Sequence, residues 1–336
     1  MKVIRNLFII FSILFFFNNC TGAQYSINTS KVDTLMDVDL HGLKQKILIK
    51  SNDINNPVLL WLHGGPGTSE MFITHYCMDS LINYFTIVHW DQRGTALSYN
   101  NKIKSTEISF NKILEDAVVL TKILKSTFNQ DKIFLFGHSF GSVLGIHLIE
   151  RYPDDYYAYI GMGQVIDDAI SREITYKWLL NKLSEDNDTT EILRIRENHI
   201  VPRELINKYK GIYYKGISLF DVIKGSPYYY EGYLDNYSKS TNFVRESMGK
   251  NPSTYEKNIF NDILILKIPV YFFEGRHDRI AACAPELVVE YYNKLVAPKK
   301  DIIWFEESAH HPNLDEPDKF QRMLIYKVLT ENYKND

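Results

Sequence analysis

Lys132-Ile133-Phe134-Leu135-Phe136-Gly137-His138-Ser139-Phe140-Gly141 is the stretch whose reading decides the fold. Its first five residues read as a short buried strand, and Ser142 to Arg151 beyond it carries apolar residues at helical spacing. Between them lies a G-x-S-x-G turn. A strand that turns so tightly into a helix needs Gly137 and Gly141 to lack side chains, and it leaves Ser139 standing above the edge of a sheet as on a nucleophile elbow. The pentapeptide alone is a weak pattern; its flanking strand and helix give it weight.

Outward from this turn the chain alternates between strand and helix patterns. Toward the N-terminus, Val38 to Ser51 predicts a hairpin, Pro57 to Leu62 a buried strand, Met71 to Asn83 a helix and Phe85 to Trp90 a strand. Phe110 to Phe128 has the apolar period of an amphipathic helix. Toward the C-terminus come a strand at Tyr157 to Gly163, a strand at Pro269 to Glu274 and a helix at Pro285 to Leu295. A strand at Asp301 to Phe305 and a helix from Pro317 to about Asn332 complete the pattern. Pro269 and Pro317 stand at element starts, where a missing N–H costs least. This alternation predicts an α/β fold, a mostly parallel central sheet with helices on both faces.

Residues 164–262 differ in texture. They are polar, rich in helix formers at first and then in tyrosine: Tyr213, Tyr214, Tyr228, Tyr229, Tyr230, Tyr233 and Tyr237. Lying between two core strands, they predict a mainly helical cap, with core halves at 24–163 and 263–336. Some of these tyrosines are expected in a substrate pocket, most in packing the cap.

The N-terminus predicts export. Lys2 and Arg5 precede an apolar run from Leu7 to Phe17, a length that suits a signal peptide and is short for a membrane span. Thr21-Gly22-Ala23 offers a cleavage site, making residues 1–23 the leader; lipid attachment at Cys20 is the alternative, disfavoured by Asn19 before it. What remains, roughly 310 residues, suffices for one large α/β domain with an insertion. The chain is 45% hydrophobic and 24% charged with a net charge of −3, and it has no basic block, which excludes a nucleic-acid binder. Cys77 and Cys283 in the mature part are expected as free buried thiols rather than a disulfide framework.

A serine needs a base and a group that orients the base. In a strand-helix scaffold with this elbow, the chain order is Ser, then Asp or Glu, then His. Gly275-Arg276-His277-Asp278 follows the penultimate strand and nominates Asp278, with Glu274 as the rival acid still inside the strand. Beyond it only His310 and His311 remain, in Ser308-Ala309-His310-His311-Pro312. The developing oxyanion needs two donors. Leu62-His63-Gly64-Gly65-Pro66-Gly67 follows a strand where the first donor loop belongs, so the N–H groups of Gly65 and Phe140 are the expected pair. His63 reads as a loop organiser.

His63-Gly64-Gly65-Pro66-Gly67 followed by Trp90-Asp91-Gln92-Arg93-Gly94 resembles the proline iminopeptidase branch of the α/β-hydrolases. The Asp278 loop and Ser308-Ala309-His310 match the acid and base positions of that family, so the resemblance covers the chain from about residue 40 onward. It implies a metal-free, cofactor-free serine hydrolase working through an acyl-enzyme, with Ser139, Asp278 and His310 catalytic, and Asp91 and Arg93 organising the loop beside the oxyanion site. The expected substrate is a short peptide that yields its N-terminal residue, proline above all. Two departures concern specificity: Phe140 stands where a tryptophan is common, and Gly94-Thr95-Ala96-Leu97-Ser98 lacks a second glycine. An aminopeptidase also needs carboxylates for the substrate's amino group; Asp167, Asp168, Glu173, Glu231 and Asp235 are available in the cap. A carboxylesterase with the same triad is the alternative, and a binding protein on a hydrolase scaffold is a remoter one. Epoxide or haloalkane hydrolysis is disfavoured because those relatives generally carry aspartate at the elbow.

Overall fold

The computed structural model describes residues 31–250 and 257–333. The leader at 1–23 and Cys20 lie outside the described residues. Eight strands form one open sheet: β1 (Val32–Leu40), β2 (Leu43–Ser51), β3 (Val58–Leu62), β4 (Thr86–Asp91), β5 (Ile133–His138), β6 (Tyr156–Met162), β7 (Val270–Gly275) and β8 (Lys300–Phe305), in the order β1-β2-β4-β3-β5-β6-β7-β8. β2 runs antiparallel to both β1 and β4, while β4, β3, β5, β6, β7 and β8 are mutually parallel. The hairpin begins six residues earlier than the sequence pattern suggests, and His41 and Gly42 turn it with φ of 53° and 78°.

Successive residues of a strand face opposite sides, and both sides of this sheet are covered. Leu60, Leu62, Val88 and Leu135 pack with the helices Phe110–Thr127, Phe140–Arg151 and Pro285–Lys294. Leu59, Trp61, Phe134 and Phe136 pack on the other side with Phe72, Leu81, Leu314, Phe320 and Leu324. There Trp61 stacks on Phe136 at 3.8 Å between ring centroids.

One expected element is broken. In place of a helix over Met71–Asn83 there are two 3-10 turns, Met71–Ile73 and Leu81–Asn83, flanking one helical turn, Thr74–Cys77. Buried Met71, Phe72, Ile73, Cys77, Met78 and Leu81 are needed on more than one side of this short connection, so an even helix is not the best solution. The C-terminal helix Pro317–Met323 continues through a π-helical stretch, Leu324–Leu329, to Asn332. Between β6 and β7 the described chain is helical: Asp168–Glu185, Thr189–Asn198, Arg203–Lys208, Leu219–Lys224, Tyr233–Lys250 and Ile259–Asp262. Cys77 and Cys283 are separate, buried free thiols. No helix among the described residues is long and apolar enough to cross a membrane.

Candidate active site

Ser139 joins β5 to the helix Phe140–Arg151 with φ 52° and ψ −121°, a left-handed conformation that costs about 1–3 kcal/mol in a residue with a Cβ. Its N–H donates to Met162 O at 2.9 Å, and its own carbonyl accepts from Ser142 N and Ser142 Oγ at 2.8 and 2.5 Å, which hold the turn. A Cβ at Gly141 would run into the carbonyl oxygens of Leu62 and His63, so the loop after β3 can press against the elbow. The same approach brings a Cβ built on Gly64 to 3.0 Å from Ser139 Cβ. Ser139 is partly exposed between buried His138 and Phe140.

Asp278 and His310 come from the loops after β7 and β8. His310 Nδ1–H donates to Asp278 Oδ2 at 2.7 Å, and Asp278 Oδ1 accepts from Ile280 N at 2.9 Å. Both side chains are buried. Burial pushes the His310 pKa below its ordinary 6.5, against the pull of Asp278, so the ring is neutral at neutral pH. Cys283 Sγ lies 4.0 Å from Ser139 Oγ, and the donor atoms of Asp278, Cys283 and His310 fall within 4.8 Å of one another. The Asp278–His310 hydrogen bond already satisfies two of those three. Burial raises the Cys283 thiol well above its usual range, leaving it protonated.

Glu274, the rival acid, stays in β7, where it accepts from Gln164 N at 3.0 Å; burial pushes its carboxyl well above the usual range. His311 stacks on Tyr213 at 4.7 Å and 8°, and burial drives its pKa well down. His63 donates from Nδ1 to Gly64 O at 2.9 Å and accepts at Nε2 from Gln92 N at 3.2 Å, which makes it a neutral tie between two loops. Asp91 accepts from Ser69 Oγ at 2.5 Å and Leu97 N at 3.0 Å, and burial raises its pKa to about 7. Arg93 grips buried Asp116 with two bonds, at 2.6 and 2.7 Å.

Three residues near the site carry no sequence signal of their own. Both ring nitrogens of His138 face acceptors, Glu70 Oε1 at 2.5 Å and the His310 carbonyl at 3.0 Å, so the ring is an imidazolium. Burial opposes that charge, but Glu70 outweighs it and holds the His138 pKa above the ordinary value. Buried Asp315 accepts from Ala309 N at 3.1 Å and from Tyr214 N and Lys215 N at 3.1 and 2.9 Å, tying the His310 loop to the segment after β6. His310 N reaches Ile212 O at 3.1 Å and Arg279 N reaches Gly211 O at 2.9 Å, so the same segment also buttresses the Asp278 loop.

These groups open on a cavity of about 780 Å³ whose wall includes Gly64, Gly65, Ser139, Phe140, His310 and His311. Gly65 N–H has no acceptor among the described residues, and Phe140 N–H, at the first helical position, has none within its helix. Of the five acids expected from the sequence, only Asp168 lines the cavity; Glu70, not foreseen, is the other carboxylate there. Asp167 instead caps its helix by accepting from Ile170 N. Glu173 pairs with Lys177 and His199. Of the seven tyrosines, Tyr213 and Tyr237 reach the wall, and the Tyr237 hydroxyl is buried without a partner among the described residues. Tyr233 packs on Phe72, and Tyr214 on His277.

Residues 55–198 match the family model described as serine aminopeptidase, S33. The chain is 30% identical over 307 residues to "Probable aminopeptidase YbaC" of Bacillus subtilis, covering 86% of this chain and 94% of that one. It is 25% identical to a proline iminopeptidase of Saccharolobus solfataricus, over 80% of this chain and 84% of that one. The crystal structure of a proline iminopeptidase from Mycobacterium smegmatis superposes with a TM-score of 0.63 at 14% identity, covering 89% of this chain and 98% of the other.

Proposed function

The chain belongs to the proline iminopeptidase-like hydrolases of the α/β-hydrolase superfamily, and on that premise we propose that it is an exported aminopeptidase releasing N-terminal proline or similar residues from short peptides. The observation that carries this reading is the buried His310–Asp278 hydrogen bond on a cavity that Ser139 and Asp168 also line. Ser139 Oγ attacks the scissile carbonyl carbon as His310 Nε2 takes its proton. The N–H groups of Gly65 and Phe140 hold the oxyanion in a pre-set geometry. His310 then protonates the leaving amine, and Asp278 stabilises the imidazolium through Nδ1–H. Water, deprotonated by the same ring, frees the acyl group from Ser139. The described helices between β6 and β7 act as a cap over the elbow.

Asp168 is the group proposed to take the substrate's ammonium, because both oxygens of Glu70 are engaged, by His138 and by Trp61 Nε1 at 2.7 Å. Asp168 is also paired with Arg172 at 3.0 Å, and this favours the second reading, a carboxylesterase with no amine site. Turnover of a proline arylamide beside a short-chain nitrophenyl ester, with Ser139→Ala as control, decides between them. Serine-dependent cleavage of the arylamide, proline preferred, supports the peptidase; cleavage of the ester alone sinks it. The proposed export rests on Lys2, Arg5 and the apolar run that follows. N-terminal sequencing of the mature protein tests it, and an intact Met1 would count against it.

A further inference from the structure

Two guanidinium groups on the cavity wall take no part in this scheme. Arg203 opens the helix Arg203–Lys208, Arg245 lies in Tyr233–Lys250, and both line the cavity with Ser139, His310 and His311. Neither has a carboxylate partner among the described residues, although nearby acids are paired. Glu204 binds Arg194 at 3.2 Å, Asp168 binds Arg172 at 3.0 Å, and Glu70 binds His138 at 2.5 Å. The charge of Arg203 acts on Tyr213, whose ring stacks on His311 beside the base. Both residues are exposed, and the two cations still feel each other: partial desolvation first, and then the charge of Arg203, hold Arg245 below its ordinary value. Like charges without a carboxylate counter-ion on a concave wall favour an entering anion. Arginine is also the side chain best shaped to hold a carboxylate with paired bonds.

We infer that Arg203 and Arg245 form a subsite for a carboxylate of the substrate, on the leaving-group side of the scissile bond. The choice of side rests on the aminopeptidase reading, which gives the amino end of the peptide to Asp168. The carboxylate is then either the C-terminus of a di- or tripeptide or an acidic side chain just beyond the scissile bond. A cavity of about 780 Å³ is in the range of small-ligand sites and suits a short peptide.

The test is kcat/KM of the full enzyme on Pro-Ala, Pro-Ala-amide and Pro-Glu-amide, repeated with R203Q, R245Q and the double variant. Charge-assisted bonds to a carboxylate predict that the wild-type enzyme prefers Pro-Ala over Pro-Ala-amide by about 10- to 100-fold. Each single variant lowers that ratio and the double variant brings it to about 1. A ratio, unlike a rate, is not moved by loss of folded enzyme. Should the preference go to Pro-Glu-amide instead, the subsite stands and its ligand is an acidic side chain. Equal rates on all three peptides with the wild type, or a preference that survives in the double variant, overturn the inference. If no dipeptide is cleaved, the aminopeptidase reading fails by itself. The ratio is then read on 4-nitrophenyl acetate against its 3-carboxy derivative. An arginine-dependent preference for the anionic ester keeps the subsite, and its absence removes it.

Discussion

The ends of β5, β7 and β8 and the helices at 168–250 build the two sides of one cavity by different means. On the sheet side, each group is held by backbone geometry. Ser139 stands on a turn locked by Gly141 against the Leu62 carbonyl, and Asp278 and His310 leave neighbouring parallel strands side by side. On the cap side, Arg203, Tyr237 and Arg245 reach the wall from helices and Tyr213 from a connecting segment, each as a side chain. In the proposed scheme the sheet side carries the chemistry, which fails with a displacement of an ångström. In the same scheme the helical side carries recognition.

That division can be broken experimentally. Its strongest test is Ser139→Ala, expected to cut turnover by about 10⁴- to 10⁶-fold with an unchanged melting temperature. His310→Ala should come close to it. His311→Ala should cost far less, and the reverse order in steady-state assays would reassign the base. Asp278→Asn comes next, with a loss of about 10⁴-fold in kcat as the ring loses its orienting acceptor. On the helical side, Asp168→Asn should lower the arylamide-to-ester ratio of kcat/KM by about 10- to 100-fold, from a lost ion pair to the substrate. An unchanged ratio would place amine recognition elsewhere.

Asp315 sharpens the comparison because it belongs to both sides. Asp315→Ala strands the N–H groups of Ala309, Tyr214 and Lys215 and should cost about 3 kcal/mol in a denaturation curve. It should also slow turnover several-fold through the loosened His310 loop. The smallest effect is on pH dependence. The neutral ring is the active form and burial holds its folded-state pKa below 6.5, so activity persists below pH 6.5 and is lost only as pH falls through that lowered value. Asp278→Asn removes a contribution that raises the pKa and should shift this acid limb further down. A limb above pH 6.5 in a kcat/KM profile would show that the pull of Asp278 outweighs burial at His310.

The strands β3 to β8, the elbow, and the acid and histidine loops were legible because each rests on local chemistry: buried runs of fixed length, glycines at a close approach, a fixed order of functional groups. Glu70 and His138 carried no such mark. Their pairing joins positions 68 residues apart, and no period or motif encodes it. The Met71–Asn83 segment read as a helix because its apolar spacing allowed one, whereas packing against the sheet and against Phe320 broke it into short turns.

Read alone, the chain determined a mostly parallel α/β fold, a serine on a tight turn, and Asp278 with a histidine pair downstream, since these depend on residue type and order. The family resemblance names His310 as the base, and the structure pairs it with Asp278; only the tertiary structure decided that Asp168 alone of five candidate acids lines the cavity, and that Arg203 and Arg245 line it with no carboxylate partner among the described residues. Which side chain of a polar helix points inward depends on how the helix is rotated against its neighbours. That rotation is set by contacts distant in sequence.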